Sequence, residues 1–356
     1  MKALLLLPAL FTLVYSAGAS AWGGRGHNSI CEAAVHLVKN PELREFLSFK
    51  PHVMGHLCNV PDIHWKSISA ETRKLGDTAH YINAEKLGMK IADIPTDYKK
   101  IVEEFTGKPN KENTAKTMFS IPDEVGSSWW RADQFYRLAV EAGKRAQPAA
   151  PPKDFKEEQN YDLPYNKGIY DMMVNMGLMG HFVGDNGQPF HCTSDHDGYA
   201  SGHGGIHAFY EEAVVAQFGG DLIGLIVKQA KALKNPAFIT KSNVIENMRV
   251  LSELSYGDIK EVLKGDALIK PSNLTIDKGM SLKTPAQRKP ADVAFKNLQK
   301  TMLKEFARSS LLLAHLWDKA YEEAGQPAMK PYKSYLHPFT PDFVKPDYYV
   351  IPESKN

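Results

Sequence analysis

Apolar residues recur at helical spacing along most of this chain, and the strict alternation expected of strands is scarce. Between residues 26 and 38, Ile30, Ala33, Ala34 and Leu37 fall on one face of a predicted helix. The same spacing predicts further helices at 128–145, 166–187, 206–217, 219–233, 241–263 and 291–324. The pattern therefore predicts an all-α fold, a single-domain helical bundle with long irregular loops.

Three stretches lack this periodicity and are predicted to be loops. Residues 147–156 are rich in Ala and Pro, and residues 264–290 are polar with several Pro and Gly breaks. The segment 326–356 carries six prolines, which preclude a long helix, and many aromatic residues, which predict that it wraps the surface of the domain. Because none of these loops divides two cores, we expect one domain over 22–325 followed by this tail.

The first 21 residues have the pattern of a secretory signal. Lys2 precedes an apolar run, and Ala19-Ser20-Ala21 matches a small-x-small cleavage site. A membrane anchor is the alternative, but a span needs about 20 continuous apolar residues. We therefore expect cleavage before Trp22, which would expose the amine of that residue and direct the protein to the periplasm or the exterior.

Composition narrows the function less than it narrows the fold. The chain has 356 residues, of which 43% are hydrophobic, so a large core is expected. A formal net charge of +2 excludes a protein that binds by a basic surface alone. Three cysteines are too few for a disulfide scaffold. Thirteen histidines are the unusual feature.

Histidines and carboxylates occur at metal-ligand spacing in the segment H-F-V-G-D-N-G-Q-P-F-H at 181–191. His181 and Asp185 are four residues apart, so a helix would present both on one face. Gly187 and Pro189 would end that helix and could turn His191 back towards the same site.

A second pair, His207 and Glu211, has the same spacing in H-A-F-Y-E at 207–211. A single pair of this kind is more often a surface ion pair. Two pairs with a third imidazole favour zinc, which binds histidine nitrogen and carboxylate oxygen.

Five separated motifs together resemble the superfamily of zinc-dependent phospholipases C and single-strand-specific (fungal-type) nucleases. They are W-G-G-R-G-H at 22–27, P-D-I-H-W at 61–65, D-T-A-H-Y-I-N at 77–83, and the two segments at 181–191 and 207–211. The resemblance implies an all-α phosphoesterase domain that holds three Zn²⁺ ions. The implied ligands are Trp22 (through its amine and carbonyl) with His27 at one ion; Asp62, His80 and His181 at a second; Asp185 between these two; and His191, His207 and Glu211 at the third.

The implied activity is hydrolysis of P–O ester bonds in a phosphodiester by a metal-activated water. Asp62 would be catalytic as well as a ligand, orienting or deprotonating that water. The protein would act as a monomer.

The substrate branch is less sharply defined than the metal chemistry. The W-G-x-x-G-H start resembles the nucleases, whereas Glu211 and the short gap between His191 and His207, which lacks a Gly-Gly-Asn element, resemble the phospholipases. We expect a phospholipase C-like enzyme that cleaves phospholipid headgroups during transient contact with a membrane surface. The alternatives are a single-strand-specific nuclease or 3'-nucleotidase, and a non-catalytic exported zinc-binding protein.

Neighbours of the implied ligands carry further expectations. Cys31 and Cys58 lie four residues from His27 and Asp62, so a disulfide between them is expected in an oxidising compartment. Asn59 is predicted to cap a helix containing Asp62. The carboxylates predicted to accept hydrogen bonds from the ligand imidazoles are Asp77, Asp195 and Asp197.

Overall fold

A computed structural model describes residues 22–277 and 280–348, and the prediction of an all-α, single-domain fold is confirmed. The predicted signal segment at 1–21 and the end of the tail at 349–356 lie outside the described residues. In the part that is described, no single helix is long and apolar enough to cross a bilayer. One pair, Ile206–Gln217 and Leu222–Ala232, would qualify together but is bent by 104°.

The described α-helices follow the predicted ones closely where apolar periodicity is long. In chain order they are α1 (Gly23–Val35), α2 (Pro41–Ser48), α3 (Pro51–Val60), α4 (Lys66–Ile68), α5 (Ala70–Asp77), α6 (Ala84–Leu87), α7 (Tyr98–Phe105), α8 (Ile121–Val125), α9 (Ser128–Ala146), α10 (Phe155–Glu158), α11 (Pro164–Asn186), α12 (Ile206–Ala208), α13 (Leu222–Ala232), α14 (Val244–Gly265) and α15 (Ala291–Glu323). Short π-helical segments occupy Pro61–Trp65 and Phe209–Val214, and 3₁₀ turns occupy Ile91–Asp93, Pro189–Cys192, Val215–Gln217 and Ala237–Ile239.

Helix α11 is the centre of the bundle and packs against α1, α3, α9 and α15. It is buried on nearly all sides over its second half. A side chain at Gly177 would lie only 2.5 Å from Leu57 Cβ, so glycine is required for α3 to approach this closely. The helix that carries His181 and Asp185 is therefore fixed by core packing rather than by loops.

The polar segment predicted as a loop at 264–290 instead contains strands. Strand β1 (Leu268–Lys270) pairs antiparallel with β4 (Gln287–Arg288), and β2 (Asn273–Asp277) pairs with β3 (Met280–Thr284). Apolar and polar residues do alternate in these strands, at Leu274 and Ile276 in β2 and at Met280 and Leu282 in β3. The prediction failed because each run is only five residues long and lies in a polar stretch, so the Pro and Gly breaks around it were given more weight.

The prediction that Asn59 caps a helix was also wrong. Helix α3 already contains Asn59, whose side chain donates to the Gly55 carbonyl at 3.0 Å. The chain then continues through Pro61 as a π-helical turn. Because proline has no N–H and its ring crowds the carbonyl four residues earlier, a wider turn accommodates it. Asp62 is thus presented by a π-helical turn.

The predicted Cys31–Cys58 disulfide is present and joins α1 to α3, while Cys192 is a buried free thiol. As far as Tyr348, the tail packs on the domain. Trp65 Nε1 donates to the Pro341 carbonyl at 2.9 Å, and the Tyr348 hydroxyl lies 3.0 Å from Ser127 Oγ. The Trp65 contact places the tail against the π-helical turn that carries Asp62.

Candidate metal centre

Three groups of His, Asp and Glu side chains converge inside the bundle, and each could hold a metal ion. In each group, one ligand atom from every residue lies within 4.8 Å of the others. The groups are His27, His181 and Asp185; Asp62, His80 and His181; and His191, His207 and Glu211. Every side chain predicted as a ligand therefore belongs to a group, although the structure does not establish the identity or number of the ions.

The first two groups meet at α11, which carries both His181 and Asp185. Asp185 Oδ1 lies 3.4 Å from His27 Nε2, and Asp185 Oδ2 lies 3.0 Å from His80 Nδ1. His181 Nε2 is 3.4 Å from Asp185 Oδ2 and 3.8 Å from Asp62 Oδ1. Asp185 thus stands between the two groups, as its predicted bridging role requires, while His181 belongs to both.

The third group is assembled from the turn after α11 and the irregular helix after Gly205. The 3₁₀ turn Pro189–Cys192 returns His191, so that its Nε2 lies 3.1 Å from His207 Nε2. Glu211 Oε2 lies 3.0 Å from the same His207 nitrogen. Two nitrogens on one tetrahedral zinc are roughly 3.3 Å apart at the usual bond lengths of about 2.0–2.1 Å, so this spacing suits a shared ion.

Backbone carbonyls fix the orientation of three of these imidazoles. His181 Nδ1 lies 2.7 Å from the Cys58 carbonyl oxygen, His191 Nδ1 lies 2.7 Å from that of His80, and His207 Nδ1 lies 2.9 Å from that of His196. With Nδ1–H donating outward, each Nε2 lone pair points into the centre, as metal-binding histidines require.

The predicted carboxylate acceptors do not serve these three rings. Asp77 instead lies 4.0 Å from Lys66 Nζ, and Asp195 accepts hydrogen bonds from the backbone N–H groups of Ala200 and Ser201. Asp197 contributes its backbone carbonyl to Gly205 N–H. Backbone carbonyls occupy the positions in which these carboxylates were expected, and residue type alone does not reveal which carbonyls these are.

Burial shifts the pKa values of five of the ligands in the absence of an ion, whereas Glu211 raises the pKa of His207 against the effect of burial. Burial lowers the pKa of His80, His181 and His191 well below the usual histidine value, so these rings are neutral near pH 7. Burial, reinforced by the nearby Asp62 carboxylate, raises the pKa of Asp185 well above its usual value. Burial likewise raises the pKa of Glu211. A bound cation would offset the cost of ionising both buried acids, and the neutral imidazole nitrogens would coordinate it.

Unsatisfied oxygen atoms give an independent test of whether metal fits. Among the described residues, Asp185 Oδ1 and Glu211 Oε1 are buried and accept no hydrogen bond. A buried carboxylate oxygen without a donor is costly. Both atoms belong to residues of the three groups, so a bound cation accounts for them.

Lys66 was not predicted, although it lies four residues after Asp62. Its Nζ is 2.7 Å from Asp62 Oδ1. Burial opposes the charge on Lys66, but the Asp62 carboxylate outweighs it and raises the pKa of this amine. The i,i+4 spacing was the available signal, and an exposed ion pair was the ordinary interpretation of it.

A cleft of about 710 Å³ lies over the second and third groups. Its wall combines cationic and aromatic side chains with three of the candidate ligands. It includes Lys66, Arg73, His80, Tyr81, Lys86, Asp123, Phe190, His191 and His207. The Asp62–Lys66 pair therefore lies at the boundary between the centre and the cleft.

The Trp22 side chain is fixed beside the centre. Its indole Nε1 donates to the Gly184 carbonyl at 2.8 Å, one residue before Asp185, and its ring centroid lies 4.4 Å from that of Phe306. The role of its amine and carbonyl as ligands stays a prediction.

No family model matches the chain, and no curated protein matches it.

Proposed function

We propose that this chain is an exported, zinc-dependent phosphodiesterase, phospholipase C-like in its preference for phospholipid headgroups. The observation that carries the proposal is the arrangement of three ligand groups inside the bundle, two of them beneath a cleft whose edge holds the Asp62–Lys66 pair. The Cys31–Cys58 disulfide supports an oxidising compartment. Phosphodiester hydrolysis is proposed because the five sequence motifs resemble those of zinc-dependent phosphoesterases.

The three groups would hold the ions, with Asp185 between the first two. When bound, zinc supplies Lewis-acid polarisation of phosphoryl oxygens and lowers the pKa of water. Three carboxylates against three divalent ions leave a net positive charge, which attracts a phosphate anion.

The chain's own residues would divide the remaining work. Asp62, whose side chain is 3% exposed, would orient the attacking water and accept its proton. Lys66 Nζ, which contacts Asp62 Oδ1 and lines the cleft, would donate to a phosphate oxygen. Carbonyls at Cys58, His80 and His196 would keep three imidazoles in the required tautomer.

The phospholipase preference rests on sequence, because Glu211 is the last ligand and the gap between His191 and His207 is short. The second candidate, a single-strand-specific nuclease or 3'-nucleotidase, is favoured by one structural observation. Lys66, Arg73 and Lys86 line the same cleft as Tyr81 and Phe190. Cations that follow a phosphate backbone, together with rings on which bases stack, are typical of single-strand binding.

The test is hydrolysis of phosphatidylcholine and single-stranded DNA in parallel, by zinc-loaded protein beginning at Trp22, with and without a chelator. Chelator-sensitive release of phosphocholine without DNA cleavage is expected. DNA cleavage alone would transfer the assignment to the nuclease. If zinc is bound and neither substrate is cut, the non-catalytic alternative is favoured over both enzymes.

The variant Asp62→Asn should lose at least about 100-fold in turnover, the usual contribution of a positioned general base. Asp123→Asn is the matched control, because Asp123 lines the cleft but belongs to none of the three groups. Undiminished turnover by Asp62→Asn would refute the role assigned to Asp62.

A further inference from the structure

Three histidines outside the metal centre meet where the C-terminal tail crosses α3. His52 and His56 are four residues apart on this helix. The ring of His337, on the tail, has its centroid 5.2 Å from that of His56 and 6.4 Å from that of His52. We propose that this tail histidine cluster (His52, His56 and His337) binds one further zinc ion, which fastens the tail to α3.

The ring separations suit a shared ion. With Zn–N bonds of about 2.0–2.1 Å, two imidazoles on one tetrahedral zinc have centroids roughly 5 Å apart. His56 and His337 already have this spacing. His52 is exposed, so a change of its rotamer can bring this ring, now 6.4 Å from that of His337, closer to an ion held by the other two.

Backbone carbonyls also leave nitrogen lone pairs for an ion. His56 Nε2 lies 3.2 Å from the Phe339 carbonyl oxygen, and His337 Nδ1 lies 3.5 Å from that of Tyr335. If these nitrogens donate to the carbonyls, Nδ1 of His56 and Nε2 of His337 keep their lone pairs. Such outward hydrogen bonds are the usual support of metal-binding histidines.

A carboxylate on the same side adds favourable charge. Gly55 lies between His52 and His56 on α3, and a methyl group there would be 3.0 Å from Glu32 Oε1. Glu32 is half-buried on α1, and burial raises its pKa whereas the nearby His52 acts to lower it. A divalent cation in the tail histidine cluster would interact favourably with this acid.

An ion at this position would bind the helix that leads into the turn carrying Asp62. Helix α3 continues without a break into the π-helical turn Pro61–Trp65, and Trp65 Nε1 holds the tail at the Pro341 carbonyl. Zinc at His337 would add a further attachment, four residues before Pro341 in the tail. The inference does not depend on the proposed phosphodiesterase activity.

The experiment compares the zinc content and tail protection of the wild type, His337→Ala and His52→Ala. His315→Ala is the matched control, because His315 is half-buried on α15 and outside every cluster described above. Zinc-loaded proteins are dialysed and then titrated with zinc against a chromophoric chelator. We expect the wild type and His315→Ala to bind one ion more than His337→Ala and His52→Ala.

Trypsin cleavage after Lys333, an exposed residue in the tail, gives a second measurement. Added zinc should slow this cleavage several-fold in the wild type and have no effect in His337→Ala. Equal zinc content and equal cleavage in the two proteins would overturn the proposal. Circular dichroism verifies that the variants are folded. Neither measurement depends on the proposed phosphodiesterase activity of this protein.

Discussion

Replacing Glu211 by Gln should change stability much more with metal than without it. In the chelated protein, the Glu211 carboxylate is buried, its Oε1 accepts no hydrogen bond among the described residues, and burial raises its pKa. A neutral amide of the same shape removes that cost, but it also removes the charge that lies 3.0 Å from His207 Nε2 and raises the pKa of that imidazole against the effect of burial. The two effects oppose each other, so chelated Glu211→Gln should melt close to the chelated wild type.

With zinc a clear loss of stability is expected, because Glu211 is one of the three candidate ligands in its group. An ion present at 100 times its Kd stabilises the folded state by about 2.7 kcal/mol. Losing that contribution from one of the three groups should lower Tm by about 5 °C for a chain of this size. The zinc-loaded variant should therefore melt below the zinc-loaded wild type.

Calorimetry of both proteins in chelator and in a series of zinc concentrations measures both effects. Glu212→Gln is the control, because the neighbouring Glu212 is exposed and belongs to no ligand group. A chelated Glu211→Gln that melts well below the chelated wild type would show that the carboxylate is structural without metal. Equal zinc-induced increases in Tm for the two proteins would exclude Glu211 as a ligand.

Three further changes give distinct results. His191→Ala should lower the bound zinc by about one ion, as measured by atomic absorption, because it removes one of three protein ligands; unchanged zinc content would contradict this. Residues added before Trp22 should weaken zinc binding and activity, and a fully active extended protein would argue against the Trp22 amine as a ligand. Burial lowers the pKa of Lys50 to about 8, so the folded state binds this proton less well than the unfolded chain. Lys50→Met should therefore be more stable than the wild type near pH 7, with an advantage that shrinks as pH rises from about 8 to 10.5 in denaturant titrations; a constant difference would refute the assigned cause.

The sequence predicts the long helices well because their burial is periodic. Helices α9, α11 and α15 follow the predicted ranges within two residues at either end, since a buried face repeats through each of them. The predicted helix 206–217 is instead divided into α12, a π-helical segment and a 3₁₀ turn. The apolar spacing of a π or 3₁₀ turn differs too little from that of an α-helix over a few residues to be distinguished.

Some of the candidate ligands could be selected from sequence because their i,i+4 spacing follows helix geometry, namely the pairs His181–Asp185 and His207–Glu211. His181 and Asp185 share one face of α11, and the turn at Pro189 returns His191. The ligands His27, Asp62 and His80 came from motif resemblance alone, and nothing in residues 59–62 signals that α3 continues through Pro61. Tertiary packing, including the disulfide from Cys58, brings this turn to the centre.

The contacts that the sequence could not predict also determine which nitrogen of each imidazole faces the metal centre. An imidazole can bind through either nitrogen, and the choice here is made by carbonyls of Cys58, His80 and His196, whose side chains are irrelevant to that hydrogen bond. Any residue at those positions could provide the same carbonyl, so no residue type marks them. Two of the three acceptor residues are nevertheless connected to the centre in another way. His80 is itself a candidate ligand, and the disulfide joins Cys58 to α1, the helix that carries His27. A change that moves the segment around His80 would therefore disturb one candidate ligand and, through the His80 carbonyl, the orientation of His191 as well.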